Sequence, residues 1–151
     1  MANRQHLERL RQSGANVWNT WRQTNPAILP ELQDADLSGA DLGGYNLSLA
    51  NLWQANLHQA NLRAANLMAA NLEGAGLSNA NLSGANMIDA RLAFSDLRAA
   101  DLSGADLTGA DLTRANLLGA NLSGATLNWA QLDDALVSDE QLRSVKSWKG
   151  R

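Results

Sequence analysis

The sequence is dominated by a five-residue pattern that runs without insertion or deletion through about two thirds of the chain. Between residues 35 and 134 the pattern Ala-(Asp/Asn)-Leu-x-x occurs twenty times. Leu holds the central position in all units but one, where Met87 replaces it, and Ala is replaced in the first position by Tyr45 and Ser95. The second position is Asn or Asp in sixteen units, and the other four have Gly76, Arg91, Thr126 and Gln131 there. A period of five matches neither the 3.6 residues of a helical turn nor the two-residue alternation of a strand. No single helix or strand can therefore keep these Leu and Ala side chains on one face.

A closed polygonal coil satisfies this period. If each pentapeptide forms one short side and one corner, Leu and Ala point to the axis, and the other three positions face water. Asn, Asp, Ser and Gly suit the corners, because short polar side chains bind nearby backbone and Gly accepts unusual dihedral angles. Backbone groups would then pair with the coils before and after, as in a β-solenoid. The pattern predicts an all-β repeat body over residues 35–134.

In residue types and phase, the twenty units resemble the pentapeptide-repeat protein family, and the resemblance covers residues 35–134. It implies a right-handed quadrilateral parallel β-helix with four pentapeptides per coil. On that basis we expect about five coils, which at about 4.8 Å per coil give a length of roughly 24 Å. Because the family is abundant in cyanobacteria, the resemblance also implies a cyanobacterial-type protein.

Both chain ends lie outside the pattern. Residues 4–13 place apolar side chains three apart among Glu and Arg and predict a short amphipathic helix stopped by Gly14. We interpret residues 1–34 as an N-terminal helical cap, with an independent partner-binding segment as the alternative. The S-x-x-Q form of a capping box starts at Ser138, so residues 135–151 are predicted to be a C-terminal helical cap or tail. The C-terminal helix covers the last coil or packs against a second copy, so we expect a monomer or a homodimer through a terminal cap.

The outward residues arrange into axial columns. With four units per coil, residues twenty apart stack about 4.8 Å from one another. The largest apolar group on any predicted face consists of Leu49, Met68, Ile88 and Trp129. Exposed apolar patches often mark interaction sites, although scattered exposed apolar residues are normal and provide the alternative interpretation. A second candidate face pairs Trp53 with Phe94, two coils apart.

The residue inventory argues against an enzyme. The chain has no Cys and two His among 151 residues, so it lacks a thiol nucleophile, a disulfide framework and a thiolate zinc site. His58 lies outward with no carboxylate placed beside it, which favours a surface His over a catalytic base. Four Asp, at positions 96, 101, 106 and 111, form a ring around one coil, which we interpret as solvated repeat residues rather than a metal site. We predict a non-enzymatic protein without cofactor or metal.

The net charge and the hydropathy of the chain indicate which classes of partner it does not bind. A formal net charge of -3 argues against direct nucleic-acid or anionic-membrane binding, and no run of about 18 apolar residues exists to span a bilayer. The polar first residues contain no apolar signal-peptide stretch, so we expect a cytoplasmic protein. The leading hypothesis is a rigid scaffold or protein–protein interaction module with an unknown protein partner.

The family resemblance implies one alternative function. The family includes quinolone-resistance proteins, which resemble duplex DNA in shape and charge and bind DNA gyrase. The repeat segment carries ten acidic residues and four Arg, a net charge of -6, whereas duplex DNA over about 24 Å carries roughly 14 negative charges. A DNA-mimicking gyrase or topoisomerase binder is therefore the weaker hypothesis.

Overall fold

The repeats wind into a parallel solenoid between helical end segments. The computed structural model describes residues 1–149. Its helices are α1 (Arg4–Gln12), α2 (Ala15–Thr24) and α3 (Asp139–Ser144). Between α2 and α3, every parallel bridge from Glu31–Asn51 to Asn116–Leu136 joins residues twenty apart. One turn of the solenoid therefore holds four pentapeptides, in agreement with the number that the resemblance implied.

Each side of a coil is held to the next coil by the same three backbone hydrogen bonds. The Asn61 N–H donates to the Ala40 carbonyl at 2.9 Å, and the Asn61 carbonyl accepts from the Leu42 N–H at 2.7 Å. A third bond runs from the Gly44 N–H to the Arg63 carbonyl at 2.9 Å. Because this pattern recurs from coil to coil, inner coils have no unpaired sheet edge, and open edges occur only at the two ends.

The corners are tight turns whose third residue has a positive φ. A positive φ recurs at every fifth residue from Asp34 to Asp134. The next N–H closes the turn, as in the 3.1 Å bond from Ala40 to the Leu37 carbonyl. A positive φ at the third of four residues is typical of a type II turn, which Gly fits best. Gly fills eight of these positions and thirteen carry a side chain, but none of the thirteen is β-branched.

Leu and Ala form the core, as predicted, whereas the Asn/Asp position is not simply solvent-facing. Every central Leu or Met from Leu47 to Leu117 is at most 1% exposed. Most Asn and Asp of this position are half-buried, and their Oδ1 atoms accept the N–H two residues on, as Asn66 does from Met68 at 3.1 Å. Several also bridge coils, as Asn61 Nδ2 does to Asp41 Oδ1 at 2.7 Å. The prediction that short polar side chains at the corners bind nearby backbone is therefore confirmed, and the bridges between coils are an addition that the sequence pattern did not indicate.

The N-terminal helices pack on the first coil. α1 matches the predicted helix and begins after Asn3, whose Oδ1 accepts from the Gln5 N–H at 2.9 Å, while Leu10 on its inner face is 2% exposed. The sequence pattern did not indicate α2, which buries Trp18 completely. The Trp18 indole N–H donates to the Asn46 carbonyl at 2.8 Å. Packing on the coil, rather than an amphipathic repeat, therefore places α2.

Coil geometry begins before the first perfect repeat. Glu31 bridges Asn51, Leu32 is completely buried, and Asp34 has the positive φ of a corner residue. These residues lack the Ala-(Asp/Asn)-Leu signature and fall within the segment 1–34 that we predicted as a cap. Stacking on the next coil decides their conformation.

The C-terminal segment folds back on the last coil. The predicted capping box is present: the Ser138 N–H donates to Gln141 Oε1 at 2.9 Å, and Ser138 Oγ accepts from the Gln141 N–H at 3.2 Å. The Gln141 amide also donates to the carbonyls of Leu117 and Ala120 at 2.7 and 2.8 Å. Beyond α3, the Ser147 carbonyl accepts from the Leu127 N–H at 2.8 Å. The C-terminal segment thus pairs with the last coil of the same chain.

Candidate interaction surface

Three of the four predicted interface residues are neighbours on one side of the solenoid. Leu49 is 51% exposed, Met68 is 40% exposed, and Ile88 is half-buried. The Leu49 N–H donates to the Met68 carbonyl at 2.9 Å, and the Ala69 N–H donates to the Ile88 carbonyl at 2.9 Å. Leu49, Met68 and Ile88 therefore occupy three successive coils, with about 4.8 Å between levels.

The fourth predicted residue, Trp129, is separated from this group. A whole coil, represented on this side by Thr108 and Gly109, lies between Ile88 and Trp129, because the Gly109 N–H donates to the Asn128 carbonyl at 2.9 Å. The Trp129 side chain is 52% exposed, although its backbone N–H donates to the Lys149 carbonyl at 2.8 Å. The C-terminal segment thus pairs with the Trp129 backbone and leaves much of the side chain exposed.

Two residues that the sequence assigned to the N-terminal cap extend the apolar group. Ile28 is 41% exposed and Leu29 is 45% exposed. The guanidinium of Arg22 donates to the Ile28 carbonyl at 2.5 Å and to the Ser48 carbonyl at 2.9 Å, so the same buried cation holds both backbones together. We call this set of residues the apolar strip. Its members are Ile28, Leu29, Leu49, Met68 and Ile88.

A sequence signal for this extension exists. Ile28 and Leu29 precede Ser48 and Leu49 by twenty residues, the interval of one coil. A search for Ala-(Asp/Asn)-Leu units does not detect this signal, because the chain before Ala35 does not follow that pattern. The buried Arg22, whose burial lowers its pKa, is what fixes the segment beside the first coil.

The secondary candidate face is more polar. Trp53 is 39% exposed and Phe94 is 55% exposed, but the coil carrying Glu73 lies between them, as the column prediction placed it. The Arg114 guanidinium lies 5.7 Å from the centre of the Phe94 ring. Glu73 is paired with Arg91 at 2.7 Å. Ionic groups therefore interrupt this face, in contrast to the apolar strip.

The four Asp of the predicted ring lie on four different sides of one coil. Asp101 bridges Asn81 and Asn121, so its axial neighbours are uncharged. The Arg98 guanidinium binds both carboxylate oxygens of Asp96 at 2.8 and 2.7 Å, and this hydrogen bonding lowers the pKa of Asp96. Within residues 1–149, no three His, Asp or Glu side chains come together as a set that could hold a metal ion.

His58 forms a pair without the third member of a catalytic triad. Its Nδ1 lies 2.8 Å from Ser78 Oγ, the Ser that the column arithmetic placed beside it. In the described part of the chain, no carboxylate makes a hydrogen bond to the ring that would orient it as a base.

None of the helices within residues 1–149 has the length and apolarity that crossing a bilayer requires.

Comparisons with known proteins agree with this geometry. The family model described as pentapeptide repeats (8 copies) matches residues 31–67, 65–104 and 100–139. A comparison with curated protein sequences gives no match.

The chain is also similar to proteins of solved structure. The chain is similar to a pentapeptide repeat protein from the Arabidopsis thaliana thylakoid lumen, with 30% identity over 73% of each chain and a TM-score of 0.63. It is also similar to HetL, a pentapeptide repeat protein involved in heterocyst differentiation regulation in the cyanobacterium Nostoc, with 37% identity over 71% of this chain and a TM-score of 0.42. It spans 59% of HetL. QnrB1, a plasmid-mediated fluoroquinolone resistance protein, is 20% identical over 78% of each chain, with a TM-score of 0.33.

The family match, the similarity to the Arabidopsis structure and the twenty-residue coil imply a right-handed quadrilateral β-helix. Because the family model matches most of the chain and the Arabidopsis relative is 30% identical to it, the chain belongs to the pentapeptide-repeat family.

Proposed function

We propose that this protein is a non-enzymatic scaffold of about five coils, closed by helical caps, that holds a protein partner on the apolar strip. The observation that carries the proposal is the exposure of Leu49 (51%) and Met68 (40%) on successive coils, continued by Leu29 (45%). Pentapeptide repeat proteins are generally non-enzymatic, with roles in protein interaction. The Ser–His pair at His58 lacks an orienting carboxylate, which also argues against catalysis.

Burial of the apolar strip by a partner would contribute favourable free energy at a small cost in conformational entropy. Fully burying a large apolar side chain contributes about 1.5–3 kcal/mol. Covering the exposed parts of the five strip residues would therefore contribute on the order of 5 kcal/mol before the cost of association. The solenoid backbone beneath the strip is hydrogen-bonded on every coil, so little conformational entropy is lost when a partner binds.

The test is binding by a strip variant. A tagged protein is used to capture partners from an extract of the source organism, and the affinity of each purified partner is then measured by calorimetry. Met68→Lys with Ile88→Lys should weaken a true partner by more than tenfold, because two cations would be desolvated at the contact.

The matched control is Ser83→Lys with Ser103→Lys, which places the same charges on the adjacent side of the solenoid, where the outward residues at these positions are small and polar. Both variants must keep the wild-type melting temperature. Unchanged affinity in the folded strip variant would exclude the strip and direct attention to Trp53 and Phe94. Light scattering on the wild type separates a monomer from a homodimer.

The alternative function, a DNA-mimicking gyrase binder, stays a prediction, and we expect its test to be negative. Asp96 is neutralised by Arg98 at 2.7 Å, and the Asp ring presents one carboxylate per side rather than an axial stripe. We expect no inhibition of gyrase supercoiling at micromolar protein. Inhibition that is lost in Asp101→Asn with Asp106→Asn would establish the alternative instead.

A further inference from the structure

The first coil exposes a sheet edge that the N-terminal segment covers unevenly. On the side at Glu31, the Asn3 N–H donates to the Glu31 carbonyl at 2.8 Å, and His6 Nδ1 accepts from the Glu31 N–H at 3.1 Å. On the next side, Arg11 donates to the Asp36 carbonyl at 2.7 Å. Backbone and side chains of α1 and its N-cap thus take the place of a preceding coil only in part. Among the described residues, two of the three backbone groups that such a coil would bind are paired on the Glu31 side and one of three on the Asp36 side.

The third side, at Asn46, is the most completely covered. Asn19 Oδ1 accepts from the Asn46 N–H at 2.7 Å, and the Trp18 indole donates to the Asn46 carbonyl at 2.8 Å. The Ser48 carbonyl accepts from Arg22 at 2.9 Å. All three groups that a preceding coil would bind on this side are therefore paired.

The remaining side, Asp41–Gly43, has none of these three bonds. One coil further on, the equivalent groups are the N–H and carbonyl of Asn61 and the carbonyl of Arg63, and all are bonded, at 2.9, 2.7 and 2.9 Å. No hydrogen bond within residues 1–149 reaches the Asp41 N–H, the Asp41 carbonyl or the Gly43 carbonyl. The unpaired groups keep the spacing with which every inner coil binds the next.

Space for a backbone exists above this side. A groove of about 640 Å³ runs between the α1–α2 connection and the first coil, and Ser13, Gly14, Asp41 and Gly43 are among its lining residues. Ala40, at the start of the open side, is partly exposed, whereas the same position on most inner coils is buried. The open edge is therefore accessible from outside.

The core beneath the groove is already covered. Leu42 is only 2% exposed, as is Leu10 from α1, so no deep pocket awaits a large apolar anchor. An occupant would be held through its backbone, with small side chains on the inner side. The exposed Asp41 carboxylate binds Asn61 and forms no ion pair within residues 1–149.

We propose that an extended segment of a partner protein, rich in small residues, docks in this groove by adding a short parallel strand to Asp41–Gly43. Its first carbonyl accepts from the Asp41 N–H, the N–H two residues later donates to the Asp41 carbonyl, and the N–H two residues further donates to the Gly43 carbonyl. This register copies the bonds between inner coils, and strand addition to an exposed edge is a general mode of peptide recognition.

A second copy of the chain fits the edge less well. Symmetric pairing of two identical edges would be antiparallel, whereas the register of the three free groups is that of a parallel neighbour. The edge also lies in a groove beside Ser13 and Gly14, and a second copy would bring its own α1–α2 connection to the same place. A single extended chain avoids both conflicts.

The experiment uses the complete, ¹⁵N-labelled protein and two synthetic peptides. The probe is acetyl-Ala-Asn-Ala-Ser-Gly-amide, which has the backbone length of one solenoid side with a small residue in the Leu position. Its matched control carries an N-methyl group on the third residue and so lacks the donor to the Asp41 carbonyl. Because only the peptide changes, the fold of the protein is not at issue.

The expected result is a saturable shift of the backbone amide signals of residues 41–44 in the millimolar range of probe. N-methylation should weaken binding roughly tenfold, which corresponds to about 1.4 kcal/mol, in the range for one hydrogen bond. Absence of shifts at residues 41–44, or equal binding of both peptides, would overturn the proposal. So would shifts confined to the apolar strip, or the same signals moving on dilution of the protein alone, which would indicate a second copy.

Discussion

Ser95 provides the sharpest test of the buried Ala column. It occupies an Ala position, is 1% exposed, and its hydroxyl has no hydrogen-bond partner within residues 1–149. Ala75 and Ala115, which precede and follow it by one coil, are completely buried and offer no acceptor from their side chains. The backbone of Ser95 is already used, since its N–H donates to the Leu92 carbonyl at 3.1 Å. The hydroxyl is therefore a buried polar group without compensation.

Replacing it by the residue that the repeat prefers should stabilise the protein. Burial of a hydroxyl without a hydrogen bond costs about 1–3 kcal/mol in mutational data, and Ser95→Ala removes that cost with almost no change in volume. For a chain of this size, each kcal/mol raises the melting temperature by about 2–4 °C. We therefore expect an increase of several degrees.

The assay is thermal unfolding by circular dichroism, with urea unfolding as a second measure. The control is Ser123→Ala, because Ser123 is exposed and its change should stay within about 0.5 kcal/mol. A lower melting temperature for Ser95→Ala would show that the hydroxyl has an acceptor in solution. The description of the Ala column as a dry, apolar stack would then be wrong.

Three further predictions test the inward positions, the corners and the N-terminal segment. Leu77→Asp, at a completely buried position, should cost more than about 4 kcal/mol, whereas Leu118→Asp, at a position 51% exposed, should cost less than about 1 kcal/mol; similar urea midpoints would contradict the assignment of inside and outside. Ala64→Gly, at a φ of 53°, should be neutral or stabilising by up to about 1 kcal/mol, whereas Ala65→Gly in the core should destabilise by about 1 kcal/mol or more; the reverse order would refute the corner geometry. Burial lowers the pKa of His6 from its ordinary value of 6.5, so its contribution to stability is complete above pH 6.5 and is lost as the pH falls through the lowered pKa. His6→Gln should therefore show a smaller loss of melting temperature between pH 7.5 and 5 than the wild type, and equal losses would exclude His6 as the sensitive group.

The repeat body was predictable because its information is local and redundant. The Ala and Leu positions of each unit identify its inward residues. The corner position with a positive φ accepts Leu49 or Phe94 but contains no β-branched residue. The number of four units per coil came from the family resemblance, since a period of five is compatible with other polygons. The bridges between residues twenty apart supply that number directly.

The candidate surface was predictable only where it lies within the twenty in-phase units of residues 35–134. Leu49, Met68 and Ile88 were placed together by counting in twenties, because the inward phase fixes which side chains face outward. Ile28 and Leu29 were missed, since their position depends on the Arg22 guanidinium that joins the Ile28 and Ser48 carbonyls. A contact between a buried cation and two distant backbone groups has no periodic signature.

The sequence by itself determined the inward and outward sides of the repeat body, because every unit repeats the same choice of apolar and corner residues. It also determined α1 and α3, through the amphipathic pattern of the first and the capping box of the second. Only the tertiary structure decided how the first coil is closed. The edge groups of that coil are bound by groups as unlike as the Asn3 N–H, the His6 imidazole and the Trp18 indole. The open side at Asp41–Gly43 is likewise a property of the packed molecule, because whether a backbone group finds a partner depends on where a non-repeating segment comes to rest.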